Sequence, residues 1–273
     1  MKEILCSTGA LIGKPNGRNH MLLEELSNKL NCDGFEFMMY SSWYEAAEKI
    51  VEDLQRLRIN IPVMHCEKHI GEAISRNEPG DADKALSLFE QNCQIAQKLG
   101  AKKMVMHLWD GIISDQHFYN NLGMYGELAS ISHTYQIDLL VENVVCNKED
   151  PMSHWLELYE KYPQIHFVFD TKMAAFHEQM DLIYDKDYQW LWEKDCIRHL
   201  HVNDYGGGYM EWGKLKTLPI GAGHIDFERF FDFINEKNYM GDFTVEATAF
   251  DRETGVVDVE MLNRCFDYIR ERR

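Results

Sequence analysis

The sequence predicts a closed (β/α)8 barrel, an α/β fold built as one domain over residues 1–273. Three observations carry the prediction. Eight short apolar runs recur along the chain, an amphipathic helical stretch follows each, and no dinucleotide-binding glycine fingerprint appears. Strict alternation of strand and helix implies a parallel sheet, and eight units suit a closed barrel better than a doubly wound open sheet. An apolar content of 45% supplies a core of that size.

In chain order the predicted strands are EILCST (3–8), GFEFM (34–38), NIPVMH (60–65), KMVMHL (103–108), IDLLVEN (137–143), IHFVFD (165–170), IRHLHVN (197–203) and DFTVEA (242–247). Each is mostly β-branched, aromatic, Met or Leu, as suits strands buried on both faces. After the second, WYEAAEKIVEDLQRL places Trp43, Ala46, Ala47, Ile50, Val51, Leu54 and Leu57 on one helical stripe. After the third, KALSLFEQNCQIAQKL runs into Gly100, a helix stop. After the fifth, Asp150-Pro151 reads as an N-cap and a first-turn proline opening MSHWLELYEKY. The Gly- and Lys-containing stretch 204–223 reads as a long loop on the barrel, not a domain boundary.

The bulk numbers narrow the function. With 28 basic and 45 acidic residues the net charge is −17, a field that repels phosphate backbones and argues against nucleic-acid binding. Seven cysteines without a C-x-x-C pair fit neither a disulfide framework nor a zinc knuckle. No apolar run reaches the roughly 18 residues of a membrane span, and the N-terminus lacks a signal-peptide pattern. A reducing, cytoplasmic setting is the expectation.

The chemistry lies at the strand ends. LLVENVV puts Glu142 into an otherwise apolar run, where an unpartnered carboxylate would be costly. The same pattern recurs: His65, His107, Asp170, His201 and Glu246 sit near the C-terminal ends of their strands, with Glu36 in the second. In this fold those ends share one face, the face that carries active sites. Taken singly, each Glu reads as an interior ion pair, each His as a hydrogen-bonded core residue, and Asp170 as a helix N-cap. Taken together, six such placements crowd acids and imidazoles at one mouth. A divalent cation neutralises the acids and uses the imidazoles as ligands.

On these motifs the chain resembles the xylose isomerase-like TIM barrels, the superfamily that also contains endonuclease IV. The resemblance runs over nearly the whole length. It is carried by GFEF, LLVENVV, FVFDT, HLHVND, LPIGAGHIDF (218–227) and FTVEA. Sugar 3-epimerases of the tagatose type bind one divalent metal through residues that correspond here to Glu142, Asp170, His201 and Glu246. Endonuclease IV places two further histidines with the strand-five glutamate at a second metal, and His65 and His107 occupy those positions. Three departures stand out. Met173 replaces a histidine, Lys148 replaces a substrate-contacting glutamate, and no arginine follows the strand-seven histidine. They argue against a tagatose-type specificity.

What the resemblance implies is an enzyme that isomerises or epimerises a small sugar, polyol or sugar phosphate. Glu142 and Glu246 would be the catalytic base and acid, working through an enediolate. The metal would be Mn²⁺, Mg²⁺, Co²⁺ or Zn²⁺, with a second ion or the substrate at His65 and His107. Glu36, Trp109 and Lys148 are the expected substrate contacts, with Phe37 and Trp212 as further aromatic surfaces for a sugar. An endonuclease IV-like phosphodiesterase and a non-catalytic sugar-binding barrel are the alternatives. The apolar residues between Trp109 and Tyr125 leave room for a homodimer.

Overall fold

A computed structural model describes residues 2–109 and 114–273. Its strands are β1 Ile4–Ser7, β2 Gly34–Met38, β3 Val63–His65, β4 Lys103–Met106, β5 Asp138–Glu142, β6 His166–Asp170, β7 Ile197–His201 and β8 Asp242–Val245. All pair in parallel with their chain neighbours, and β8 pairs back with β1, so the barrel closes without an edge.

Alternation along each strand divides the side chains into two cores. Phe35, Phe37, Met104, Met106, Leu139, Val141, Phe167, Phe169, Leu200 and Phe243 point outward and join the large core beneath the helices. Leu5, Val63, Val105, Leu140 and Val168 form a separate apolar cluster inside the barrel. The remaining strands β2, β7 and β8 contribute Glu36, His199 and Thr244, which hydrogen-bond to one another. Between β6 and β7 the register shifts at Phe167/Val168, after which Val168 pairs with His199 and Asp170 with His201. At the N-terminal end of the strands the Lys103 Nζ meets Asp242 at 2.8 Å.

The helices follow their sequence signals. The helix Ala47–Leu57 buries Ala47, Ile50, Val51 and Leu54. It starts later than the apolar stripe suggests, because Ser41–Ala46 forms a 3-10 turn that lays Trp43 flat on Phe37, with ring centroids 5.6 Å apart. Asp150 caps the helix Pro151–Lys161 by accepting from the Ser153 amide at 2.9 Å. The helix Asp81–Leu99 stops at Gly100, where φ is 86°. The long loop after β7 is folded around Asp204, whose carboxylate accepts from the amides of Gly221, Gly223 and Ile225. A β-carbon at Gly223 would lie 2.2 Å from the Tyr205 carbonyl oxygen, which explains the glycine in GAGHIDF. Among the described residues no helix is long and apolar enough to cross a membrane.

Candidate metal centre

Four strand ends meet at the mouth. Glu142, Asp170, His201 and Glu246 each offer a ligand atom, and these atoms lie within 4.8 Å of one another. His201 is the hub. Its Nδ1 is 2.9 Å from Glu142 Oε1, 3.3 Å from Glu246 Oε2 and 4.0 Å from Asp170 Oδ2. Its Nε2 is 3.1 Å from Glu36 Oε2. The Glu36 contact commits one ring nitrogen and turns the other towards the three carboxylates, the arrangement by which a carboxylate orients a metal-ligating histidine.

The electrostatics follow from burial. His201 is wholly buried, which favours the neutral ring, yet the Glu246, Glu36 and Glu142 carboxylates raise it well above its ordinary value. Burial raises Glu142 and Glu246 too, but the His201 charge outweighs it, holding Glu142 well below the usual range and Glu246 at about 2. Asp170 is pushed up to about 6 by burial and by Glu142 and Glu246, against the pull of Lys172. One imidazolium therefore stands where a divalent cation would neutralise the set more completely.

His65 and His107 join Glu142 from the other side. Their Nε2 atoms lie 3.5 and 2.7 Å from Glu142 Oε2, and their ring centroids are 4.8 Å apart. Together with Glu142 they form a second group with ligand spacing.

A family model described as a xylose isomerase-like TIM barrel matches residues 25–265. The chain belongs to this family. A search among curated proteins finds no match. Solved structures of the same fold include D-allulose 3-epimerase from Methylomonas sp. in complex with D-allulose. That structure has a TM-score of 0.72 at 14% identity, covering 100% of this chain and 97% of that one. The IOLI protein with a binding zinc atom gives 0.73 at 16% identity, covering 99% of both chains. The 3-keto-D-glucoside 4-epimerase of E. coli gives 0.67 at 13% identity, covering 99% of this chain and 100% of that one.

In this xylose isomerase-like barrel two of the expected substrate contacts, Glu36 and Trp109, and the aromatic surface Phe37 lie in other surroundings than expected. Glu36 is wholly buried and its Oε2 accepts from His199, His201 and Thr244, which makes it a brace beneath the centre. Trp109 has no exposed surface. It packs edge-on against Phe118 and His154 and donates from Nε1 to the Val144 carbonyl. Phe37, next to inward Glu36 on an alternating strand, points outward onto Trp43. Lys148 is exposed on the loop after β5, with its Nζ 3.3 Å from the Gln116 carbonyl oxygen. Trp212 sits edge-on against Phe176, 5.0 Å between centroids. Of the stretch Trp109 to Tyr125, residues 110–113 lie outside the described residues, and Tyr119 is largely exposed.

The structure adds residues that the strand-end pattern did not single out. Asn143 donates to the Asp170 carbonyl and accepts from the Asp170 amide, continuing the β5–β6 ladder through its side chain. Asn203 does the same service for β8, accepting from the Glu246 amide at 2.8 Å. Thr171 hydroxyl donates to the Asn203 carbonyl at 2.6 Å. Asp170 also caps its own helix, Oδ1 accepting from the Met173 amide while Oδ2 faces the centre. Lys172 is buried with its Nζ 3.9 Å from Asp170 Oδ2 and 3.2 Å from Thr217 Oγ1. An Asn, Thr or Lys one or two residues after a strand-end Glu, Asp or His is the sequence signal for such bracing.

Proposed function

We propose that this barrel is a divalent-metal-dependent isomerase or epimerase of a small sugar, polyol or sugar phosphate. The convergence of Glu142, Asp170, His201 and Glu246 from four successive strands carries the reading. Three carboxylates and an imidazole with its second nitrogen already engaged suit Mn²⁺, Mg²⁺, Co²⁺ or Zn²⁺, and these four residues would hold the ion. The D-allulose complex and the zinc-containing structure among the neighbours support it. When bound, the ion supplies electrophilic stabilisation for negative charge that develops on the substrate's carbonyl and hydroxyl oxygens.

The chain's own part is proton transfer. A hydrogen on carbon beside a carbonyl is weakly acidic, so its removal needs an ionised carboxylate held in place. Glu142 and Glu246 are the ionised pair, kept so by His201. One takes the proton and the other delivers one to carbon. Return to the opposite face gives epimerisation, and return to the neighbouring carbon gives isomerisation. Glu246 keeps some side-chain exposure, at 11%, and exchanges its proton with water between turnovers. Lys148 is the rim cation assigned to a substrate oxygen or phosphate.

A second reading, metal-dependent phosphodiester hydrolysis, draws on the His65–His107–Glu142 group, which has the spacing for a second ion. The charge of −17 opposes it. The test is incubation of metal-loaded protein with a panel of ketoses and ketose phosphates in deuterated water. Deuterium on a carbon beside the carbonyl is expected. Unlabelled sugars throughout, with cleavage of abasic DNA, would overturn the isomerase reading.

A further inference from the structure

A further group of side chains with ligand spacing shares no residue with the mouth. Asp115, Cys146 and His154 each offer a ligand atom within 4.8 Å of the other two, and all three residues are buried. They come from different segments: the 3-10 turn Ser114–His117, the loop after β5, and the helix Pro151–Lys161. We propose that they bind a zinc-like divalent ion that ties these segments together under the rim.

The polar atoms point to a missing partner. Asp115 Oδ1 and His154 Nε2 are buried without hydrogen-bond partners. Orphaned atoms of this kind are rare in folded proteins and call for a ligand, ion or water. Their far sides, in contrast, are engaged. Asp115 Oδ2 accepts from the amides of Asn147, Lys148 and Glu149 at 3.0, 2.8 and 3.3 Å. His154 Nδ1 lies 3.4 Å from Glu157 Oε1, so a proton on Nδ1 leaves the Nε2 lone pair facing inward. The ring is clamped by Phe118, stacked at 3.7 Å between centroids, and by Trp109. The mouth uses the same arrangement, with Glu36 behind His201.

The donor chemistry selects the ion. Thiolate, imidazole and carboxylate together are a zinc set, with any fourth position open to water. Burial pushes the Cys146 thiol far up, so it stays protonated unless a cation displaces the proton on binding. Burial likewise keeps the His154 imidazole low and neutral, the form that ligates. Because Asp115 holds the amides of residues 147–149, an ion on its other oxygen would fix the loop that presents Lys148.

Cobalt distinguishes this site from the mouth, because only this one supplies sulfur. Full-length protein stripped by chelator is titrated with Co²⁺, and the thiolate-to-cobalt charge-transfer band in the near ultraviolet is followed beside the visible ligand-field bands. The expected result is a charge-transfer band saturating at one ion per chain, lost in Cys146→Ser and requiring at least tenfold more Co²⁺ in Asp115→Asn. It persists in Glu246→Gln, where the mouth is impaired. Failure of the mouth reading would leave the charge-transfer band intact. Wild-type protein that takes up Co²⁺ with no charge-transfer band, or a band that survives Cys146→Ser, would overturn the proposal.

Discussion

At the scale of single residues, His201 shows how a buried acid cluster is made tolerable. Each of its nitrogens faces a carboxylate, and Glu36, Glu142 and Glu246 all draw on the same ring charge. The two proposed proton carriers differ from the two other proposed ligands, Asp170 and His201, in what their loss removes. Glu142→Gln and Glu246→Gln keep an oxygen near the centre but cannot accept a proton. Deuterium incorporation into a ketose should fall by about 10²–10⁴-fold in each, the usual contribution of a positioned acid or base. Retention of near wild-type exchange by either variant would end the two-carboxylate mechanism. Glu36 makes a different prediction. It touches no solvent and braces His201, so Glu36→Gln should weaken metal affinity by about 10–100-fold, as for other partners behind metal-ligating histidines. Activity at saturating Mn²⁺ should largely return. Calorimetric metal titration separates the two, and an unchanged affinity would place Glu36 in a purely structural role.

At the scale of elements, packing against the strand ends sets the positions of the functional groups. The helix His69–Arg76 approaches β4 so closely that a β-carbon on Gly71 would stand 2.2 Å from the His107 carbonyl oxygen and 2.6 Å from that of Leu108. Asn121 bridges the same contact, donating to the carbonyls of Gly71 and Leu108. Gly71→Ala must therefore shift helix or strand, at a cost of about 1–3 kcal/mol, as for other overpacked sites. The accompanying movement of His107 should appear as displaced imidazole resonances in the NMR spectrum, with Gly123→Ala, where the added carbon meets nothing within 4 Å, as the silent control. Equal midpoints of urea unfolding for the two variants would refute the close-packing account.

The strands were legible because a strand buried on both faces must be apolar throughout, so a polar group at its end stands out. Each observed strand falls inside its apolar run, from Ile4–Ser7 to Asp242–Val245. The mouth residues were legible for the same reason. Trp109 was not, since beyond the end of β4 alternation no longer dictates direction and the ring turns into the helix layer. Phe37 could have been placed from the sequence, because neighbours on a strand face opposite sides and Glu36 already pointed in. His199 shares the parity of His201, yet its contact with Glu36 on β2 is made across the barrel, and tertiary packing alone brings the two together. Asp115, Cys146 and His154 are separated in sequence and share no motif, so only tertiary packing brings them together.

At the scale of the whole molecule, an ion held at the proposed site in the charge-dense mouth would couple its occupancy to stability and pH. In the metal-free protein Asp170 is raised to about 6, chiefly by burial and then by its acidic neighbours, against the pull of Lys172. His201 is raised as well, since Glu246, Glu36 and Glu142 overcome the opposing effect of burial. For both groups the folded value exceeds the unfolded one, so their contribution to stability is present at low pH and is lost as pH rises through the folded value. The depressed carboxylates Glu36, Glu142 and Glu246 behave oppositely, losing their contribution only as pH falls through their low values, about 2 for Glu246. Between pH 6 and 8 the first effect governs, and the cluster of the metal-free protein becomes less favourable as pH rises. A divalent ion replaces the protons on Asp170 and His201, so its affinity should climb over the same interval. At an ion concentration about 100 times its dissociation constant the stabilisation reaches about 2.7 kcal/mol. The gap in melting temperature between Mn²⁺-loaded and chelator-treated protein should therefore widen steadily from pH 6 to pH 8, and shrink in Asp170→Asn. A gap that stays constant or narrows with rising pH would show that the ion does not compete with protons at Asp170 and His201, and would move the metal site away from the mouth.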